Sequence, residues 1–115
     1  MNVSSRRFAN AVVLAVSGRL DQDTCETFRV DLSRHVEDSA RGGGAIVLDL
    51  SGLEYVSSAG LRCFIILAKH ARARQKAIAL VALQDEVAEI FEISGLLSLF
   101  KVYGTVDDAV AALPR

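Results

Sequence analysis

Two adjacent serines at the start of a predicted helix are the residues of this sequence best placed to do chemistry. The segment 50–61 leaves a buried, strand-like stretch, presents the hydroxyls of Ser57 and Ser58, and enters a helix through Ala59 and Gly60. A serine hydroxyl can cap a helix by accepting a hydrogen bond from a backbone N–H, but that accounts for one serine only. Glycine in a first helical turn costs stability unless a close approach requires it. The segment therefore predicts either a helix cap or a binding or modification site.

The cysteines and histidines are weaker candidates for chemistry. Cys25 and Cys63 fall on predicted helices, and neither has a second Cys or His at metal-ligand spacing. This pattern favours buried thiols in a reducing compartment, although a thiol near a helix start can have a lowered pKa. His35 and His70 are flanked by charged residues, which favours solvated surface positions over ligands or bases. We expect no metal site.

The acidic and glycine clusters do not indicate a catalytic site either. Asp21, Asp23 and Glu26 stand at a predicted helix start, where capping explains them better than acid–base catalysis. The glycines 42–44 follow a predicted helix instead of preceding one, so they give little support for a phosphate-binding loop. Trp is absent and aromatic residues make up 6%, so no stacking platform is evident. We expect a protein that is not an enzyme and needs no cofactor.

Composition narrows the classes of partner. The 115 residues carry 13 Lys+Arg and 14 Asp+Glu, a formal net charge of -1, which argues against direct nucleic acid binding. The longest apolar run, Ala77–Leu83, is far shorter than the roughly 20 residues of a membrane span, so we expect no membrane insertion. The apolar stretch after Arg6 and Arg7 is too short for a secretory signal and lacks a cleavage site. We therefore expect a cytoplasmic protein with a single domain, 1–115.

Hydrophobic periodicity predicts an alternation of strands and helices. The predicted strands are Val3–Phe8 (a weaker edge strand), Ala11–Ser17, Ala45–Leu50, Ala77–Leu83 and Leu99–Tyr103. The predicted helices are Asp23–Ser39, Ala59–Arg74, a short helix capped by Asp85 and stopped by Gly95, and a terminal helix capped by Thr105 that runs through Leu113. Residues 51–57 are predicted to connect the second central strand to its helix. The fold class is therefore α/β: a four- to five-stranded, mostly parallel sheet faced by about four helices, with an N-terminal antiparallel hairpin.

One predicted helix carries a basic outer stripe. Arg62, Lys69, Arg72 and Lys76 line up on one side of Ala59–Arg74 and beyond it. Such a stripe is explained either by solvation of an exposed helix face or by contacts with a partner.

Four segments together resemble the STAS domain, and within it the stand-alone bacterial anti-sigma factor antagonists. Ser17–Asp21 is similar to the family's strand-to-helix corner and Ile46–Leu50 to its central strand. Val56–Leu61 is similar to the signature loop and Phe91–Leu96 to a late motif. The resemblance covers nearly the whole chain and implies a single STAS domain.

The resemblance also implies a phosphorylation site. In the family the signature loop usually reads Asp-Ser-Ser-Gly-Leu, and a partner kinase phosphorylates the first serine after the Asp. That position is Ser58 here, whereas Ser57 replaces the usual Asp and Ala59 replaces the second serine. The partner-binding residues implied by the resemblance are Gly18, Asp21, Ser57, Ala59, Gly60, Leu61 and Arg62.

Partner switching is the mechanism that the resemblance implies. The unmodified protein binds an anti-sigma factor, which is a serine kinase, and so releases a sigma factor; phosphorylation at Ser58 ends that binding, and a metal-dependent serine phosphatase restores it. The alternative within the family is a constitutive protein-interaction or ligand-binding module that phosphorylation does not regulate. A small phosphotransfer protein using Cys25, Ser58 or a histidine as carrier is a third hypothesis, but the sequence shows no activating base for it.

Overall fold

A five-stranded sheet forms the centre of the protein in the computed structural model, which describes residues 1–112. The strands lie side by side in sequence order, β1-β2-β3-β4-β5. The first pair is antiparallel and forms the N-terminal hairpin, while the other pairs are parallel, so the predicted sheet is confirmed. The strands are β1 Asn2–Phe8, β2 Ala11–Leu20, β3 Ala45–Val56, β4 Ile78–Val81 and β5 Lys101–Tyr103.

Helices cover both faces of the sheet. Within residues 1–112 they are α1 Cys25–Asp38, α2 Ser58–Ala73, α3 Asp85–Ile93 and α4 Val106–Ala112. An irregular turn, Ser39–Gly43, in which Gly42 has a φ of +91°, follows α1, and a 3₁₀ turn, Leu96–Leu99, follows α3. The expected continuation of the last helix through Leu113 lies outside the described residues. No described helix combines the length and the apolar character that crossing a bilayer would require.

The sheet separates two hydrophobic layers of unequal size. The larger layer holds α1, α2 and α3 against one sheet face, where Phe64 packs its ring at 5.3 Å from Phe28, 5.0 Å from Phe91 and 6.1 Å from Phe100. Such tilted and edge-on aromatic contacts add to the stabilisation from area burial. The smaller layer places Ala109 of α4 against the opposite face. Parallel strands covered on both faces explain why the central strands are almost continuously apolar.

Strand β3 extends six residues beyond its predicted end at Leu50. The residues expected to form a connection, 51–56, are strand, and Leu53 and Val56 are buried. They pair with the end of β2, where the register shifts between Ala15 and Ser17 and again after Gly18. These irregularities break the two-residue alternation by which a strand is recognised in sequence, so the prediction stopped too early.

Of two predicted helix caps, one is confirmed and the other is wrong. Thr105 caps α4, because its hydroxyl oxygen accepts a hydrogen bond from the Asp108 N–H at 3.1 Å. The predicted cap at Asp85 is wrong: α3 begins at that residue, Gln84 occupies the cap position, and no side chain caps the helix. The carboxylate of Asp85 instead lies in the first turn, where it complements the helix dipole.

Candidate functional site

Ser57 is the sole residue between β3 and α2, and its hydrogen bonds connect the start of α2 to the end of β2. Its backbone is extended, with φ -83° and ψ 174°, as a helix N-cap requires. Its side-chain oxygen accepts a hydrogen bond from the Gly60 N–H at 3.2 Å, and its own N–H donates to the Leu20 carbonyl at 2.9 Å. Its carbonyl accepts the Leu61 N–H at 2.9 Å. Ser57 therefore fills the capping role that the sequence assigned to one of the two serines.

Ser58 presents its hydroxyl to solvent. It is the first residue of α2 and is exposed. Among residues 1–112 no hydrogen bond involves its side chain, in contrast to Ser57. The unsatisfied N–H groups and the positive dipole end of a helix surround such a position, which favours an added anion. Ser58 is therefore the serine available for modification.

Gly60 is buried by the protein's own chain. A Cβ atom at this position would lie 2.8 Å from the Leu20 carbonyl oxygen, 2.9 Å from the Leu20 Cγ and 3.0 Å from the Val56 Cγ1. The glycine is therefore required because α2 starts in close contact with the end of β2. The close approach that the sequence indicated for this glycine is therefore an internal one, between α2 and β2.

The strand-to-helix corner around Asp21 is held by side-chain hydrogen bonds. The Asp21 Oδ1 accepts the N–H groups of Asp23 at 3.0 Å and Thr24 at 3.2 Å. The expected capping box of Asp23 and Glu26 is wrong, because Thr24 occupies the cap position and Glu26 forms an ion pair with Arg29. That ion pair also lowers the pKa of the Glu26 carboxyl through the hydrogen bond from Arg29. The carboxylate of Asp21 thus has a structural role before α1.

A cation–π contact that the sequence did not reveal lies on the strands that lead into this site. The guanidinium carbon of Arg19 is 4.1 Å from the centre of the Tyr55 ring. The two residues are direct neighbours between β2 and β3, one position before the pair formed by Leu20 and Val56. Tyr55 is 39% exposed, so the pair is accessible. Arginine and tyrosine are enriched in binding hot spots, and the irregular strand register hides their pairing from sequence reasoning.

The remaining predicted site residues lie around Ser58. Ala59 is half-buried, and Leu61 packs against the large hydrophobic layer. Arg62 is exposed one helical turn after Ser58, so their side chains share a face of α2. Gly18 lies farther back on β2, where its φ of +100° favours glycine and an added Cβ would lie 3.1 Å from the Met1 Cα.

The cysteines and one histidine form contacts away from the exposed serine. Cys63 is buried and its thiol donates to the Cys25 carbonyl at 3.3 Å, and burial raises the pKa of that thiol to about 11. His70 does not fit the expectation of a solvated residue, because its Nε2 lies 2.6 Å from the Glu37 carboxylate. The described residues contain no group of three potential metal ligands.

Comparison with known proteins identifies the class to which this fold and site belong. Residues 2–109 match the STAS domain, and the chain belongs to this family. The resemblance inferred from the four sequence segments is thereby confirmed.

Two relatives and one solved structure that are similar to the chain are named as anti-sigma factor antagonists. BtrV of Bordetella bronchiseptica, provisionally named an anti-sigma factor antagonist, is 34% identical over the full length of both chains. The anti-sigma-B factor antagonist of Listeria monocytogenes is 28% identical over 89% of this chain and 90% of its own. The crystal structure of an anti-sigma factor antagonist from Mycobacterium paratuberculosis is 26% identical and covers 96% of this chain and 92% of its own, with a TM-score of 0.82.

The structure of a phosphorylated protein with the same fold has been solved. The Bacillus protein SpoIIAA in its phosphorylated form is 18% identical, covers 96% of this chain and 97% of its own, and superposes with a TM-score of 0.69. This likeness is one of fold.

Proposed function

We propose that this protein is an anti-sigma factor antagonist whose binding to its partner is controlled by phosphorylation of Ser58. The observation that carries the proposal is that the two adjacent serines have different roles. Ser57 caps α2 and joins it to β2, whereas the adjacent Ser58 hydroxyl is exposed and takes no part in the hydrogen bonds of the described residues. Modification of Ser58 therefore leaves the cap intact.

Phosphorylation at this position changes binding more than it changes folding. A phosphate adds roughly -1.5 to -2 charges, and at the first residue of α2 the helix dipole stabilises it. In a packed interface the same charge must be desolvated, at a cost of several kcal/mol if it is unpaired. Even about 3 kcal/mol corresponds to roughly a hundredfold loss of affinity. A single phosphate thus acts as a switch without a change of conformation.

The proposed partners are an anti-sigma factor that is also a serine kinase, and a metal-dependent serine phosphatase. The unmodified protein binds the kinase and frees the sigma factor, and the phosphatase restores the unmodified state. The names of the relatives support an anti-sigma factor as a partner, while its kinase activity and the phosphatase rest on the family resemblance. The proposed binding surface combines Ser58, Ala59 and Arg62 with the exposed Arg19–Tyr55 pair.

The replacement of the family's usual Asp by Ser57 is compatible with this switch. Ser57 provides the cap hydrogen bond to the Gly60 N–H, so the aspartate is not needed to start α2. The role proposed for the protein is binding in the cytoplasm, not catalysis, and its two free cysteines suit a reducing compartment.

Constitutive binding is the second candidate function. The observation that favours it is the loss of both Asp and the second serine from the signature loop, where Ser57 and Ala59 stand. In this case the same surface binds its partner regardless of modification.

Capture experiments with charge variants distinguish the two functions. Immobilised unmodified protein is used to capture the anti-sigma factor, and capture is repeated with Ser58→Asp, Ser58→Ala and the control Ser4→Asp, which adds the same charge on the edge strand β1. We expect Ser58→Asp alone to lose the partner. Equal capture by all variants would support constitutive binding, and failure of the unmodified protein to bind any anti-sigma factor would overturn both functions.

A further inference from the structure

A groove with a basic rim lies between the end of α2 and the start of β5. Its volume is about 440 Å³, and its charged residues are Lys69, Arg72, Lys76 and Lys101, which together are called the basic groove below. Apolar residues, including Ala71 and Phe100, form part of its lining, and no described residue that lines it is acidic. The structure thus brings Lys101 of a distant strand to the predicted stripe on α2.

Within residues 1–112, the cations of the basic groove lack the partners that most of the other cations have. Arg29, Arg34, Arg41 and Arg74 form ion pairs, Arg6 and Arg19 stack on aromatic rings, and Arg7 donates to a backbone carbonyl. Within residues 1–112 the groove cations and Arg62 have no such contact. Within residues 1–112, four of the five Lys and Arg side chains without such a contact therefore line the basic groove.

Helix α3 carries four carboxylates that form no ion pair with the described part of the chain. Asp85, Glu86, Glu89 and Glu92 are exposed, form no ion pair within residues 1–112, and are called the acidic helix face below. Ile93, at the end of the same helix, is 79% exposed, the highest value among the large hydrophobic side chains of the described residues. An exposed isoleucine beside four carboxylates is suited to a groove with an apolar floor and a cationic rim.

The basic groove and the acidic helix face lie on the same side of the sheet. Phe91 of α3 and both Ala71 and Phe100 of the groove belong to one hydrophobic layer, and the 3₁₀ turn Leu96–Leu99 links the two features. We propose that two copies of this protein associate with the acidic helix face of each seated in the basic groove of the other. A two-fold arrangement satisfies both contacts at once, as an isologous interface requires.

The near-neutral net charge of the chain is compatible with this association. A formal charge of -1 opposes the approach of a second copy very little. The basic groove of one copy and the acidic helix face of the other attract each other across the interface. The interface is independent of Ser58, which lies at the opposite end of α2 from the groove.

Sedimentation velocity with exchanged charges tests the proposal. We expect the unmodified protein to show a dimer whose dissociation constant rises at least about tenfold between roughly 0.05 and 0.5 M salt. The double variants K69E/R72E and E89K/E92K should each be monomeric when alone. A mixture of the two should form a heterodimer, because each groove then meets a helix face of opposite charge.

The controls separate a specific contact from general charge effects and from misfolding. The variant Glu54→Lys changes an exposed carboxylate outside α3 and should leave the dimer unchanged. Circular dichroism should show the folded state for both double variants. A monomeric unmodified protein at low salt, an oligomer larger than the dimer, or a mixture of variants that stays monomeric would each overturn the proposal.

Discussion

Gly60 lies directly against Leu20, so the first turn of α2 is pressed onto the end of β2. A Cβ on Gly60 would be 2.8 Å from the Leu20 carbonyl oxygen, and that oxygen also accepts the Ser57 N–H at 2.9 Å. One carbonyl therefore fixes both the end of β3 and the start of the helix. Because Ser57 is held on the inside of this junction, Ser58 is left at its surface.

Replacing Gly60 by alanine should destabilise the fold. The added methyl group meets backbone and the buried Leu20 side chain, so we expect a loss of about 1–3 kcal/mol in the free energy of unfolding. Urea denaturation measures the loss. Gly104→Ala is the matched control, because nothing lies within 4 Å of a Cβ there. Equal stability of the two variants would contradict the close packing at Gly60.

The two serines should differ in their effect on stability. Ser57→Ala removes the cap to the Gly60 N–H and should cost about 0.5–2 kcal/mol, whereas Ser58→Ala removes no hydrogen bond within the described residues. Ser57→Asp should keep most of the stability, since aspartate also caps helices well. Thermal unfolding of the three variants checks this order, and a larger loss for Ser58→Ala would refute the assignment of the cap.

The buried thiol should make stability fall at high pH. Burial raises the pKa of Cys63 to about 11 from an ordinary value near 9.0, so the folded state holds the thiol proton more tightly than the unfolded state. The resulting stabilisation is present below pH 9.0 and is lost as the pH rises through about 11. The stability advantage of the unmodified protein over Cys63→Ala should shrink across this window. A constant difference in urea titrations would show that the thiol titrates normally.

The contact between Glu37 and His70 should stabilise the fold at neutral pH and lose this effect at acidic pH. The hydrogen bond with His70, together with the charge of Arg74, lowers the pKa of the Glu37 carboxyl below 4.5. A carboxyl whose pKa is lower in the folded than in the unfolded state stabilises the fold at pH values above its unfolded-state pKa. That stabilisation is lost as the pH falls through its folded-state pKa. Glu37→Gln should thus be less stable than the unmodified protein near neutral pH, with the difference closing at acidic pH. A difference between the two proteins that stays constant from neutral to acidic pH would contradict the lowered pKa of Glu37.

The order of elements was predictable because the central strands are long and apolar. The runs Ala45–Leu50 and Ala77–Leu83 are almost entirely apolar, which favours buried strands, and the helical spacings after them predict a helix after each strand. The sheet and its N-terminal hairpin followed from this alternation.

The details of the site were only partly predictable, for physical reasons. The extension of β3 to Val56 passes two register shifts against β2, each with an extra residue in β3, and no local sequence pattern records them. The role of Gly60 depends on Leu20, forty residues earlier in the chain, so the sequence marked the glycine as unusual without showing what it contacts. The Arg19–Tyr55 contact depends on the same long-range register.

Phosphorylation by the captured anti-sigma factor tests the central claim most directly. The protein is incubated with this kinase and ATP, and the modified residue is located by mass spectrometry, with Ser58→Ala as the control. The proposed function predicts one phosphate, on Ser58, and loss of partner binding in the product. No phosphate on Ser58, or phosphate on Ser57 instead, would contradict it.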